Sequence, residues 1–331
     1  MKRIHIALFL LISLLGAVIY PAAAGEDPIV IKWAHCLATN EATHIAALEV
    51  AKRVEARTDG RVLIQIFPNS QLGGSRDTYE QARLGAPVIA HIDPGYASEY
   101  GSERLSVLSG PYIFDTPEEA ERIVNSPLVE DWNEELRENG GLRILTWNWY
   151  FGERYIISDR GFRRPEDLQG VKVRVPPNPV WVETYKTLGA TLVTLEWAEV
   201  YTGLSQGVVE AAEAPLSTLY GTKLQEIKKV ITETGHFKAI SGHVIGEQFF
   251  QSLPPDVQQI LIEEIKRGGG IMSRLTIEKQ EEYKKLFAEA GVSFVQADVE
   301  AFKKATRPFY TKFPEWPPDI YDQVQEIIHG K

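Results

Sequence analysis

The chain has one cysteine, no surplus of basic charge and no long apolar run beyond its first twenty residues. A single thiol, Cys36, rules out an intramolecular disulfide, and it leaves a thiolate metal cluster or a thiol nucleophile without partners. Lys and Arg number 35 against 45 Asp and Glu, a formal net charge of −10. Such a chain has no general attraction for nucleic acid or for anionic membrane. Any anion it captures must be held by local cations working against the overall field. No G-x-S-x-G nucleophile elbow occurs, and the seven histidines show no metal-ligand spacing. No internal repeat, low-complexity segment or flexible linker is present.

The one long apolar stretch, Ile6 to Tyr20, follows Lys2 and Arg3 and precedes Pro21-Ala22-Ala23-Ala24-Gly25. A positive start, an apolar middle and small residues in an A-x-A arrangement make a secretory signal peptide over residues 1–24, with cleavage expected after Ala24. A spanning helix needs about 20 apolar residues, and no second run of that kind follows. Loss of Lys2 and Arg3 makes the mature chain two charges more acidic. Cys36 lies beyond the cleavage point without a lipobox before it, so a soluble periplasmic protein is expected and not a lipoprotein.

The rest alternates strands and helices, which argues for α/β throughout. Ile29 to Trp33 reads as a strand, Glu41 to Thr58 as a helix closed by Gly60, and Val62, Ile64 and Ile66 as a second, alternating strand. Two strands joined through a helix favour a parallel pair. Pro87 to Ile92 is a further short strand, turned away by Asp93-Pro94-Gly95. Thr116-Pro117-Glu118-Glu119 is a capping box with proline at the first helical position. Leu142 to Trp149 and Arg154 to Ser158 read as two strands, and Val171 to Val175 as another, ended by Pro176 and Pro177. The helical, charged region Pro254 to Gly291 is expected to break at Gly268-Gly269-Gly270.

Within this pattern, Pro165-Glu166-Asp167-Leu168-Gln169-Gly170-Val171-Lys172-Val173-Arg174-Val175-Pro176 resembles the P-x-D-L-x-G-x-K-x-R-x-P signature of solute-binding proteins from tripartite ATP-independent periplasmic (TRAP) transporters, the DctP type. Leu188-Gly189-Ala190, Glu199-Val200-Tyr201, Gln206-Gly207-Val208-Val209-Glu210 and Gln71-Leu72-Gly73-Gly74 resemble further family segments in the same order. The resemblance implies a clamshell of two α/β lobes, each with a central sheet, joined by a hinge and enclosing a ligand. The expected lobes are residues 25–151 with 240–280, and residues 152–239, with helical segments of 281–331 packing across both. The loaded form is expected to dock as a monomer onto membrane permease subunits, without cofactor, metal or nucleic acid.

The resemblance also implies site residues. Arg174 matches the arginine that forks onto a ligand carboxylate, and its planar five-donor head suits that task better than a lysine. Arg154, in Gly152-Glu153-Arg154, matches a second cleft arginine, and Trp197 an aromatic wall, although core packing is the commoner fate of a tryptophan. Asp93 would stand at the carboxyl end of a parallel strand, where open α/β sheets bind ligands. Turn chemistry in Asp-Pro-Gly explains it equally well. His236 matches a late histidine, able to donate to an anion or simply to satisfy a backbone carbonyl. The family's E-N-P reads here Glu213-Ala214-Pro215, so a pocket amide is missing, and Cys36 stands where many members carry a polar residue. Both changes favour a compact organic acid or a sulfonate. An exported sensor subunit and an exported enzyme acting on a small acid are the alternatives.

Overall fold

The computed structural model describes residues 27–330; the expected signal peptide lies outside them. Strands β1 (Ile29–Ala34), β2 (Val62–Phe67) and β3 (Val88–Ile92) run parallel in the order β2-β1-β3. The connecting helices Ala42–Arg57 and Ser75–Arg83 therefore leave β1 on one side and return on the other. Their reversal opens a crevice at the carboxyl ends of β1 and β3.

Leu142 to Ser158 forms one continuous strand, β4, where the sequence suggests two. The smaller strands β5 (Lys172–Val175), β6 (Thr191–Thr194), β7 (Ala212–Pro215) and β8 (Val230–Glu233) follow, then β9 (Lys238–Gly246) and β10 (Ser293–Gln296). Strand β9 lies antiparallel between β3 and β4 and completes a first layer β2-β1-β3-β9-β4. Beyond its register shifts at Thr146, Trp149 and Gly152, β4 leaves that layer and pairs with β7 and β8, while β10 joins β8. Strands β5 and β6 make a separate parallel pair, attached through Val173 to Ala211. β4 thus belongs to both halves of the molecule, and the chain passes between them again at β9 and along the helix Pro255–Glu289, which leads into β10. Gly152, at φ +103°, takes up the bend.

The long helix Pro255–Glu289 does not break at its three glycines. Two of them, Gly268 and Gly269, are packing features. A Cβ on Gly268 would lie 2.5 Å from Val50 and 2.7 Å from the Trp149 ring, and one on Gly269 would strike the Asn148 side chain. Glycine lets this helix settle directly onto β4 and the helix Ala42–Arg57, to which Arg53 and Arg57 also tie it through Glu264. No helix among the described residues is long and apolar enough to cross a membrane.

The lobes touch. A Cβ on Gly95, after β3, would come within 2.6 Å of the Asn178 amide, after β5, and Arg76 Nη2 donates to the Pro177 carbonyl at 2.5 Å.

Candidate ligand-binding site

Strands β1, β3 and β5 deliver their carboxyl ends to one cavity of about 90 Å³ between the lobes. Cys36 and Asp93 line it from one side, Arg174, Pro176 and Trp197 from the other, and Arg154 from β4. Five of the eight residues singled out in the sequence therefore meet there: Arg174, Arg154, Trp197, Asp93 and Cys36.

Arg174 is 2% exposed, although its strand alternates it with lysine. Its Nε and Nη2 both donate to the Leu195 carbonyl, at 2.9 and 2.6 Å, which fixes the head against the cavity wall. The guanidinium lies 5.2 Å from the Trp197 ring centroid. Among the described residues no carboxylate stands within 4.0 Å of it. Burial pushes its pKa down to about 10, with the more distant Glu213 opposing, so the cation persists at neutral pH. A buried cation without a counter-ion is costly unless an anion completes it.

Arg154 differs. Its Nε and Nη2 fork onto Glu213 at 2.5 and 2.8 Å, over the face of Trp181, so its charge is already neutralised inside the protein. Burial alone would raise the Glu213 carboxyl, but Arg154 and hydrogen bonds pull it down to about 2. Trp181 Nε1 donates to Glu213 at 2.9 Å. His236 stands 3.4 Å from the same carboxylate, bonded also to Tyr185 and Thr234. Burial lowers the histidine's pKa, with Glu213 opposing. Glu213 and His236 do not line the cavity; they form the support behind Arg154.

Asp93 is a turn residue that also lines the cavity. It accepts from Gly95 N at 2.8 Å as a turn residue and from Ser109 Oγ at 2.6 Å, while lining the cavity. Burial raises its pKa to about 6. Trp197 is a half-buried wall, its Nε1 tied to Thr222 Oγ1 at 3.0 Å. Ala214 is fully buried opposite Tyr155 in the β4–β7 pair, away from the cavity. Cys36 does line it, with burial first and Glu41 second pushing its thiol up to about 12.

Two polar residues escaped the sequence reading. Asn178 caps the helix Pro179–Thr187 through Val180 N at 3.0 Å, is 1% exposed, and leaves its Nδ2 without a partner at the cavity. The Asn-Pro step directly after the arginine strand was its only signal. His91, on β3, also lines the cavity with its Nε2 unpartnered. Burial lowers its pKa to about 4, which keeps it neutral. Nothing in a strand histidine announces a pocket. Buried polar groups seek partners, so both await atoms of a ligand or water. No group of three or more metal-ligating side chains is placed to hold a metal among the described residues.

Comparison with known proteins agrees with this geometry. The family model for bacterial extracellular solute-binding proteins, family 7 (DctP), matches residues 33–315. A TRAP periplasmic solute-binding protein from Ochrobacterium anthropi, solved with bound L-fuconate, is 34% identical, with a TM-score of 0.88 over 91% of this chain and 99% of that one. One from Actinobacillus succinogenes with bound L-galactonate is 28% identical, with a TM-score of 0.89 over 91% and 100%. The C4-dicarboxylate-binding periplasmic protein DctP of Rhodobacter capsulatus is 27% identical, over 99% of this chain and 95% of that one. The chain belongs to the DctP family, the solute-binding proteins of TRAP transporters.

Proposed function

We propose that the protein captures a hydroxylated organic acid carrying one carboxylate, encloses it between the lobes, and delivers it to a membrane permease. The observation that carries this reading is Arg174, a buried cation at the cavity wall with no carboxylate of its own. Because Glu213 neutralises Arg154, one free positive charge faces the ligand, which suits a single carboxylate. Asn178 Nδ2 and His91 Nε2 supply unpartnered polar atoms and Asp93 an acceptor, matching hydroxyls along a short carbon chain. With Ala214 outside the cavity, the case for a very compact acid weakens, and sugar acids such as those bound by the relatives become the better candidates.

Export through the segment 1–24 to the periplasm, action as a monomer, and the lobe division 25–151 with 240–280 against 152–239 are parts of the same reading. So is the absence of catalysis: the cavity pairs no nucleophile with an oriented base. A thermal-shift screen of L-fuconate, L-galactonate, pantoate, malate, a short sulfonate and a neutral hexose tests it. An acid at 100 times its Kd adds about 2.7 kcal/mol of stability, so at least one hydroxy acid should raise the melting temperature. Stabilisation by the neutral sugar alone would overturn the anion reading.

A further inference from the structure

We propose that Glu41 couples closure of the lobes, and with it capture of the ligand, to uptake of one proton from solvent. The inference rests on the reading of the Arg174 cavity as an acid-binding site. Glu41 directly precedes the helix Ala42–Arg57 and is 1% exposed. Its Oε1 accepts from Ala38 N at 3.0 Å within its own lobe. Its Oε2 accepts from Thr218 Oγ1 at 2.6 Å, and Thr218 belongs to the helix Leu216–Gly221 that follows β7 in the other lobe. Thr218 also lines the cavity, so Glu41 is hydrogen-bonded directly to a residue of its wall. A Cβ on Gly221 would lie 3.1 Å from Glu41 Oε1 and 3.3 Å from Ala38, so the lobes close tightly around this carboxyl.

Glu41 has no counter-ion: no lysine, arginine or histidine stands within 4.0 Å of the carboxylate among the described residues. The titratable groups around it are His44, one turn along the same helix and bonded to His35, then Cys36 in the loop after β1, and Tyr283 on the long helix. Arg174 acts on Cys36 across the cavity and Glu196 more weakly. Burial dominates and raises the Glu41 pKa to about 7, with the bonds from Thr218 and Ala38 opposing. Opening the lobes separates Thr218 from Glu41 and returns the carboxyl to water, near its ordinary 4.5. The protonated form is thus favoured in the closed state, where Oε2–H can donate to Thr218 Oγ1 with the roles reversed.

The sign follows by linkage. Affinity rises as pH falls through about 7 and levels off below the open-state value, giving about a tenfold tighter Kd at pH 6 than at pH 8. Asp93 adds its own dependence at lower pH, which a Glu41 variant retains.

The test is titration calorimetry at pH 7 in imidazole and in Tris, cationic buffers of different ionisation enthalpy. The probe is whichever of L-fuconate, L-galactonate and pantoate stabilises the protein most. About half a proton should be taken up per acid bound by the wild type. Glu41→Gln, which keeps the shape and both contacts, should lower that uptake by about the same amount and remove most of the change in Kd between pH 6 and 8, leaving the smaller Asp93 contribution near pH 6. Thr218→Val should weaken binding yet leave the uptake equal or larger, because the carboxyl stays buried and loses a bond that favours its ionised form. Binding without proton uptake, or uptake unchanged in Glu41→Gln, overturns the inference and leaves the acid-binding reading intact. If none of the three acids binds, that reading falls and the inference with it.

Discussion

The two cleft arginines show how far a side chain's neighbours decide its role. Both are buried, and sequence motifs marked both for the ligand, yet only Arg174 lacks an internal carboxylate. The Arg154–Glu213 fork is a structural ion pair at the edge of the site. Breaking such a pair from one side costs about 3–5 kcal/mol, because a buried charge is left uncompensated. Glu213→Gln should therefore lower the melting temperature well beyond a typical surface change, as calorimetric melting would record. Glu213 has a folded-state pKa depressed to about 2 from an ordinary 4.5. Its stabilising contribution is present above pH 4.5 and is lost as pH falls toward 2. The gap between wild type and Glu213→Gln should narrow over that window; a gap constant down to pH 2 would show that the carboxylate charge is not what matters.

At the level of elements, most strands and helix starts were legible because their signals are local. The helix after Thr116 begins at the expected cap, with Thr116 Oγ1 accepting from Glu119 N at 3.1 Å, although the Glu119 carboxylate accepts from Asp115 N and not from Thr116 N, so the capping box is only half made. The parallel β1–β2 pair follows from its intervening helix. What local signals could not carry is tertiary. Strand β4 was read as two because its middle, around Trp149 to Gly152, holds register shifts and a left-handed glycine that only the two layers it joins explain. The helix Pro255–Glu289 was expected to break because three glycines weaken a helix, but close contact outweighs propensity there. The site follows the same division. Arg174 and Asp93 sit at strand ends within recognisable sequence, whereas the cavity positions of Asn178 and His91 carry no distinctive motif. Gly268→Ala should cost about 1–3 kcal/mol by overpacking Val50 and Trp149. Gly270→Ala, which meets nothing within 4 Å, should stabilise by about 0.5–1 kcal/mol. Denaturant midpoints of the two variants moving in the same direction would contradict this packing account.

At the scale of the whole molecule, the described conformation is closed. Gly95 meets Asn178, Arg76 reaches Pro177, and Glu41 holds Thr218 across the gap. The TM-score is 0.88 with the L-fuconate-bound relative but 0.78 with a relative from Escherichia fergusonii solved apo and open, at 34% and 30% identity. A lone buried Arg174 cation disfavours this state until an anion joins it, so the ligand-free protein should open. Small-angle scattering should give a larger radius of gyration without acid than with it; equal values at saturation would remove the clamshell motion.

The central claim is that Arg174 holds the acid's carboxylate, and calorimetric titration of Arg174 variants tests it most directly. Hydrogen bonds to a charged group contribute about 1.5–3 kcal/mol each, and with Nε and Nη2 fixed by the Leu195 carbonyl the Nη1 side of the head is the one left for an acid. With the stranded carboxylate added, Arg174→Ala should weaken the Kd by about two to four decades, at roughly 1.4 kcal/mol per decade. Arg174→Lys should lose most of the same affinity, because a point charge cannot both grip the Leu195 carbonyl and reach the ligand. A lysine variant that binds its acid as tightly as the wild type would contradict the account.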